Sequence, residues 1–307
     1  MKNKRLMHPR NIFRTPPDYT ALAIKYKDFR KVCKLELNGK VSIDYRNEST
    51  LRALTQMLLQ EYFQLKVEFA PGSLVPTLPL RLNYILWLED LLVPLKLAAT
   101  EDVRGIDIGC GSSCIYTLLA ARKNSWHMYA LESNETNLTY AQSNVTANKL
   151  EHLVEIFKQT DKQVVFRDFF NSKPDVTFHF CLCNPPFYDS TLPNPFHANT
   201  RNEDKRTPPH NCHTGYDEEL ACEGGEVRFV QRIIEESELY PQCVCVYTTM
   251  LGHKSSVGSI LGVLDKKQIK NYTTTEFCQG NTTRWGIAWS FSTDFSLNTN
   301  KTTNESA

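Results

Sequence analysis

From residue 79 onward the chain alternates short apolar runs with helical patterns, and this alternation constrains the fold more than any other feature of its 307 residues. Runs at 103–108, 128–131, 154–157 and 176–183 read as strands, with helical spacing at 113–122 and 134–148. A helix at 225–239, a strand at 243–249, a helix at 255–265 and strands at 269–277 and 284–291 follow. Strands separated by helices run parallel and are covered on both faces, which predicts an α/β fold with a doubly wound, seven-stranded sheet. The final two runs have no helix between them, so the last strand is expected to turn back antiparallel.

Upstream, residues 1–78 read as a small α+β module. Pro16-Pro17-Asp18 precedes a helical pattern to about Phe29, and Asn38-Gly39 between the runs 34–38 and 40–45 signals a hairpin. Asn47-Glu48-Ser49 opens a helix to about Tyr62 with Leu51, Leu54, Leu58 and Leu59 on one face. An apolar helix at 80–92 begins the larger domain, 79–295, and 296–307 reads as a polar, disordered tail.

The chain is 41% hydrophobic, and no apolar run approaches the roughly 20 residues of a membrane span. Residues 1–14 are basic and lack the apolar centre of a signal peptide, so an intracellular protein is expected and Asn-x-Ser/Thr triplets such as Asn134-Glu135-Thr136 carry no message. Ten cysteines occur without a Cys-x-x-Cys pair; Cys181/Cys183 and Cys243/Cys245 share strand faces as core residues do. His210, Cys212 and His213 lack a fourth ligand, so no metal is expected. Net charge is +1, but residues 1–34 hold ten Lys/Arg against two acids, giving +8 there and −7 elsewhere. Such asymmetry is either a solvated tail or an electrostatic footprint for phosphates.

Chemistry concentrates at strand ends. The run 106–111, Ile-Asp-Ile-Gly-Cys-Gly, closes a strand in a Gly-x-Gly turn, where Gly109 and Gly111 let backbone approach a ligand. Glu132 ends the next strand 21 residues after Gly111, where a carboxylate can accept ribose hydroxyls. A dinucleotide fingerprint wants a third glycine where this chain has Cys114, and Asp107 disfavours pyrophosphate while favouring a cation. S-adenosylmethionine, a sulfonium without phosphate, suits these residues better than NAD.

The third strand end is Asn184-Pro185-Pro186-Phe187. A proline turn after a strand would account for the motif by itself. Both prolines lack a backbone donor, which leaves their carbonyls free of any ladder. An Asn oxygen, a Pro carbonyl and an aromatic ring can hold a planar nitrogen against a methyl donor, on a base or on an amide. Seven strands ending in an antiparallel pair also suit a methyltransferase sheet.

Together, the run 107–111, Glu132 and Asn184-Pro185-Pro186-Phe187 resemble the class I, Rossmann-like methyltransferases that modify adenine at N6. The segments 7–11 (Met-His-Pro-Arg-Asn), 16–18, 79–84 (Pro-Leu-Arg-Leu-Asn-Tyr) and 277–280 (Phe-Cys-Gln-Gly) are similar to the methyltransferase-like family that methylates U6 small nuclear RNA. Its bacterial relatives are ribosomal RNA adenine methyltransferases. The resemblance implies that Arg81, Gly109 and Glu132 contact S-adenosylmethionine, that Asn184 lies between cofactor and target base, and that Gln163, where the family pattern has Thr, falls near another cofactor contact; Asp107 and Gly111, read from the turn itself, complete the expected cofactor site. It implies that Asn184, Pro185, Pro186 and Phe187 carry catalysis, with Tyr188 replacing a second Phe. It also implies a nuclear enzyme, with cytoplasmic residence left open, that acts on structured RNA such as U6 or hairpins of messenger RNA precursors. Longer members continue into a carboxyl-terminal RNA-binding region, so this chain is expected to be a short form or a piece of a longer one.

RNA phosphates are then expected at Lys4, Arg5, Arg10, Arg14 and Lys31 and at Arg201, Lys205 and Arg206 in the long polar loop 189–215, with Tyr188 helping to hold the base. No membrane, metal or obligate protein partner is expected. A protein glutamine methyltransferase, a catalytically silent RNA-binding scaffold and an NAD-dependent reductase are the alternatives. A phosphate-driven interface predicts RNA affinity falling by orders of magnitude between about 50 and 200 mM salt. Equal Kd values at the two salt concentrations would overturn it.

Overall fold

A computed structural model of the protein describes residues 7–98, 102–192, 214–280 and 282–298. The amino-terminal part contains α1 (Tyr19–Lys25), α2 (Lys27–Val32), the short strands β1 (Lys34–Leu35) and β2 (Val41–Ser42), and α3 (Glu48–Phe63). Here α1 and α3 both start where a side chain caps them. Asp18 accepts the Thr20 and Ala21 N–H groups, and Asn47 accepts that of Thr50. The expected hairpin forms with Lys34 opposite Ser42, and Gly39 adopts φ +77° in its turn.

Next comes α4 (Leu78–Leu92), with Pro79 in its first turn, where no N–H is needed. The helix is buried on nearly all sides, between α3, the helix after the glycine turn and an edge of the large sheet. Then follow β3 (Arg104–Ile108), α5 (Ile115–Asn124), β4 (His127–Glu132), α6 (Glu135–Ala147), β5 (Val154–Lys158), α7 (Arg167–Ser172) and β6 (Phe178–Cys183). Beyond the motif lie β7 (Tyr188–Asp189), α8 (Asp217–Leu220), β8 (Ala221–Cys222), α9 (Gly225–Ser237), β9 (Val244–Leu251), α10 (Lys254–Lys266), β10 (Asn271–Gln279) and β11 (Thr282–Ser290).

The seven-stranded sheet has the order β10-β11-β9-β6-β3-β4-β5. β11 is antiparallel to both neighbours, while β3 pairs parallel with β4 and β6. Successive strands β3, β4 and β5 build outward on one side, and β6 begins again on the other side of β3. The switch between β3 and β6 opens a crevice at their carboxyl ends, where ligands of open α/β sheets bind. This is the predicted class I architecture. The helix α7 was not legible, because its Phe169 and Phe170 sit in a six-residue turn too short to show periodicity.

Apolar cores lie on both sheet faces. Phe13, Leu22, Phe29, Leu54 and Leu58 belong to the same core as Leu118, Phe180 and Phe277, so residues before 79 pack continuously with those after it. Asn144 on α6 and Asn148 at its carboxyl-terminal cap fasten the link between them. Asn144 exchanges hydrogen bonds with the Glu68 backbone at 2.8 and 2.9 Å, and Asn148 with that of Lys66 at 2.8 and 2.7 Å. The tail expected from residue 296 is tied down at its start: Leu297 is 4% exposed and its N–H donates to Asn271 Oδ1 at 2.9 Å. Residues 299–307 lie outside the described residues.

At the centre of the sheet, a Cβ added to Gly105 would lie 2.2 Å from Phe180 Cζ, its partner across β3 and β6. Overpacking of this kind costs about 1–3 kcal/mol. Gly105→Ala is therefore expected to lower the urea midpoint by that equivalent, and an unchanged midpoint would contradict the packing described.

Candidate active site

Strand register assembles the site. Ile108 lies opposite both Leu131 and Cys183, so Gly109, Glu132 and Asn184 leave the sheet at one level. A cavity of about 350 Å³ opens there, floored by Ile108 to Gly111 and walled by Glu132, Asn137, Gln159 and the segment Asn184-Pro185-Pro186.

The glycine turn uses its conformational freedom, with φ +68° at Gly109 and +65° at Gly111. The N–H groups of Gly109 and Cys110 both donate to Leu131 O, at 2.9 and 3.0 Å. Glu132, 7% exposed, accepts from the backbone N–H of Gly111 at 2.9 Å, Ser133 at 2.7 Å and Asn134 at 2.8 Å. A carboxylate offers about four lone-pair positions, so these bonds leave room for about one more donor, fewer than the ribose diol expected from sequence.

Asp107 does not face the cavity, as the sequence had suggested. It is 1% exposed behind the floor and accepts the Thr117 hydroxyl at 2.8 Å, anchoring the start of α5. Burial pushes its carboxyl up to about 7; the Thr117 bonds oppose this and the charge of Glu132 adds to it. A group at that value is only partly ionised near neutrality, so it supplies less negative charge than an ordinary Asp.

Arg81 is no surface residue. It is 7% exposed, and Nη1 donates to Tyr116 Oη at 2.7 Å and Asn184 Oδ1 at 3.0 Å. The segments that carried the family resemblance also converge. Asn83 Oδ1 accepts from His8 N and Asn11 Nδ2 at 3.1 and 2.7 Å, while Asn83 Nδ2 donates to Cys278 O at 3.1 Å. Tyr84 Oη bonds Thr248 Oγ1 at 2.8 Å, below the Asn184 segment.

A strap covers the cavity from the far side of the chain. Leu74 N–H donates to Glu219 Oε2 at 2.8 Å, Val75 N–H to Thr214 Oγ1 at 2.8 Å, Gly215 N–H to Gly72 O at 3.1 Å, and the Tyr216 hydroxyl to Pro71 O. Glu219 lines the cavity, and burial raises its pKa while bonds from Leu74 and Tyr216 pull it down.

Other sequence-predicted residues fare differently. Gln163 is exposed and does not line the cavity; Gln159, Lys162 and Val164 do, because the chain turns outward at 163. Phe187 also lies off the cavity, with the Arg284 guanidinium 5.0 Å from its ring centroid, and Tyr188 packs edge-on to His253. Arg10 is neutralised locally by Asp90 at 2.6 Å and Glu89 at 3.3 Å, and Lys31 by Asp28 at 2.7 Å, so the basic segment carries less free charge than counting suggests. Arg14 is half-buried without an ion pair among the described residues. Lys4, Arg5, Arg201, Lys205, Arg206, His210, Cys212 and His213 lie outside the described residues. Among the described residues no group of three or more His, Cys, Asp or Glu could hold a metal ion.

Sequence reasoning missed Asn137, Gln159 and Glu219. Gln159 is the first residue after β5 and was open to the strand-end logic used for Glu132; Glu219 carried no signal, since a long loop delivers it. Buried polar atoms without partners include Arg81 Nε, Asn137 Oδ1, Gln159 Oε1 and Arg232 Nε, and all four residues line this one cavity. Native interiors leave few such atoms orphaned. Donors, acceptors and a partly exposed carboxylate around a glycine turn fit a polar nucleoside ligand bearing amino and carboxylate groups, as S-adenosylmethionine does.

A doubly wound sheet with its last strand antiparallel and this pocket at the switch point define a Rossmann-like, S-adenosylmethionine-dependent methyltransferase. The model of a family described as RNA methyltransferase matches residues 1–293, and the chain belongs to that family. It is 64% identical over 290 residues to the U6 small nuclear RNA (adenine-(43)-N(6))-methyltransferase of Drosophila pseudoobscura pseudoobscura, covering 94% of each chain. Its fold matches the hMettl16 catalytic domain in complex with the MAT2A 3'UTR hairpin 1 with a TM-score of 0.86 at 40% identity, covering 95% of this chain and 97% of that one. It also matches the N-terminal domain of human METTL16 in complex with SAH with a TM-score of 0.78 at 38% identity, covering 93% and 99%.

Because the folded-state pKa of Asp107 is raised, native protein holds its proton where the unfolded chain has lost it. Stability from this group is complete below about pH 3.8 and declines as pH rises to about 7. Asp107→Asn, which keeps an acceptor for Thr117, is expected to gain Tm relative to the parent between pH 5 and pH 8. Parallel Tm curves would contradict the burial of an ionisable group there.

Proposed function

We infer that the protein transfers the methyl group of S-adenosylmethionine to N6 of an unpaired adenosine in structured RNA, and that U6 small nuclear RNA is its foremost substrate. The carrying observation is the common level of Gly109, Glu132 and Asn184, which sets a nucleoside pocket against an amide and a free proline carbonyl. The names of its relatives support the choice of RNA and of U6.

The amino nitrogen of adenine is a weak nucleophile, because its lone pair is delocalised into the ring. Asn184 Oδ1 and the Pro185 carbonyl accept its two N–H bonds, drawing the nitrogen toward pyramidal geometry with its lone pair toward the cavity. Arg81 Nη1 donates to the same Asn184 oxygen and thereby holds the amide with its acceptor end presented. An amide oxygen has two lone pairs, so it serves both donors. The cofactor supplies an electrophilic methyl on a sulfonium. Catalysis is then positioning and preorganised dipoles, without a dedicated general base, since the methylated amine cation loses its proton readily.

Phe187 receives the base on its ring, a stacking interaction worth about 1 to 3 kcal/mol. Residues 1–78 and the basic side chains of the loop 189–215 hold the RNA backbone, Arg14 among them, which makes no ion pair among the described residues. A U6 substrate carries with it residence in the nucleus.

Incubation with labelled S-adenosylmethionine and U6 RNA, a hairpin with an unpaired adenosine, or a glutamine-containing peptide, followed by nucleoside analysis, tests this reading. Label is expected in N6-methyladenosine from the RNAs alone. Asn184→Ala is expected to lower the transfer rate about 10²- to 10³-fold while the cofactor Kd shifts far less. Intact transfer by that variant would overturn the mechanism.

A further inference from the structure

Phe187 is the member of the motif that stands off the cavity, and its ring plane is set from outside the motif. A Cβ on Gly252 would lie 2.6 Å from Phe187 Cγ and 2.9 Å from both Cδ1 and Cδ2. Near-equal distances to three adjoining ring atoms place Gly252 over the face of the ring, near its stem. Gly252 has no left-handed φ, so the backbone does not demand glycine there. The ring itself excludes a side chain.

The backbone at Gly252 is held in turn by Glu226, on the first turn of α9 and 2% exposed. Its Oε2 accepts the Gly252 N–H at 2.5 Å, and its Oε1 accepts the His253 N–H at 3.0 Å and meets His253 Nδ1 at 3.1 Å. Burying a carboxylate is costly unless it is well bonded, and this one does not line the cofactor cavity. Gly225, one residue earlier, brings α9 against the chain just past the motif: a Cβ there would lie 3.3 Å from Asp189 N. The same helix end thus braces the motif from behind and the loop under its ring.

We propose that Gly252 and Glu226 are positioning residues for methyl transfer: Glu226 fixes the Gly252 backbone, and Gly252, with the Arg284 guanidinium 5.0 Å from the ring centroid, sets the plane in which Phe187 meets the target base. The proposal rests on the reading of Phe187 as the ring that receives that base. Glu226 and Gly252 touch neither cofactor nor substrate. They act through the ring, so their loss alters turnover on RNA and leaves cofactor binding intact.

The test uses Gly252→Ala, Glu226→Gln, Phe187→Ala and the double variant G252A/F187A in the full chain. Each is assayed for S-adenosylmethionine Kd by calorimetry, for Tm, and for kcat and KM on an RNA hairpin with an unpaired adenosine. Gly252→Ala is expected to keep the cofactor Kd within about twofold and to lose about 10- to 100-fold in kcat/KM, as misplacement by about 1 Å does. In the double variant the two losses are expected not to add, because Gly252 sets no plane once the ring is gone. Glu226→Gln retains an acceptor for one N–H and is expected to lose less than Gly252→Ala. Wild-type kcat/KM in Gly252→Ala beside an inactive Phe187→Ala would overturn the positioning role alone. Wild-type activity in Phe187→Ala would overturn the reading of the ring on which it rests. Fully additive losses, or a Gly252→Ala variant whose cofactor affinity and Tm fall together with its activity, would reduce Gly252 to a structural residue and overturn the proposal.

Discussion

Backbone pairing of β3 with two parallel neighbours puts Ile108 beside both Leu131 and Cys183, and nearly everything in the site descends from it. A strand shifted by one residue would turn its buried side chains toward the other face, so the register is held by the cores on both sides of the sheet. Because the strands end together, a glycine turn, a carboxylate and an asparagine emerge at one edge without any of them touching in sequence. The gap between β3 and β6 is wide there because the next connections leave in opposite directions.

Buried polar groups then tie this edge to the rest of the chain. Arg81 on α4 spans from Tyr116 on α5 to Asn184 after β6, and Asn83 on the same helix joins the residues near 8 and 11 to Cys278 on β10. Such bonds, made away from water, are costly to leave unmade, so they specify one arrangement of helix against sheet. Asn144 and Asn148 do the same for the segment at 66–68. The amino-terminal region and the sheet consequently share a core and a polar framework, and the division at residue 79 is one of composition and of proposed role.

Much of the fold was legible. Parallel strands buried on both faces leave continuous apolar runs, caps such as Asn47 and Asn134 mark helix starts by their side-chain chemistry, and Asn38-Gly39 announces its turn. Less of the site was. Glu132 and Asn184 could be read from their places at strand ends, but Asp107, taken for a ligand-facing charge, lies behind the floor. Alternation along a strand tells which residues share a face, and not which face the ligand approaches. Gln163 missed the cavity by one residue for a similar reason: a turn, unlike a strand, has no period from which direction can be read.

Sequence alone therefore determined the class of fold, the three strand ends proposed to carry the chemistry, and the family, since each depends on local patterns of residues close in the chain. Tertiary structure decided that Arg81 is buried against Asn184, that Glu219 and Tyr216 roof the cavity from across the chain, and that Phe187 lies flat on Gly252. Those contacts join residues 65 to 145 positions apart, and no local pattern encodes a distance of that kind. Asn184-Pro185-Pro186-Phe187 suggested the proposed chemistry, while the packing of α4 and α9 against it sets how these side chains are held.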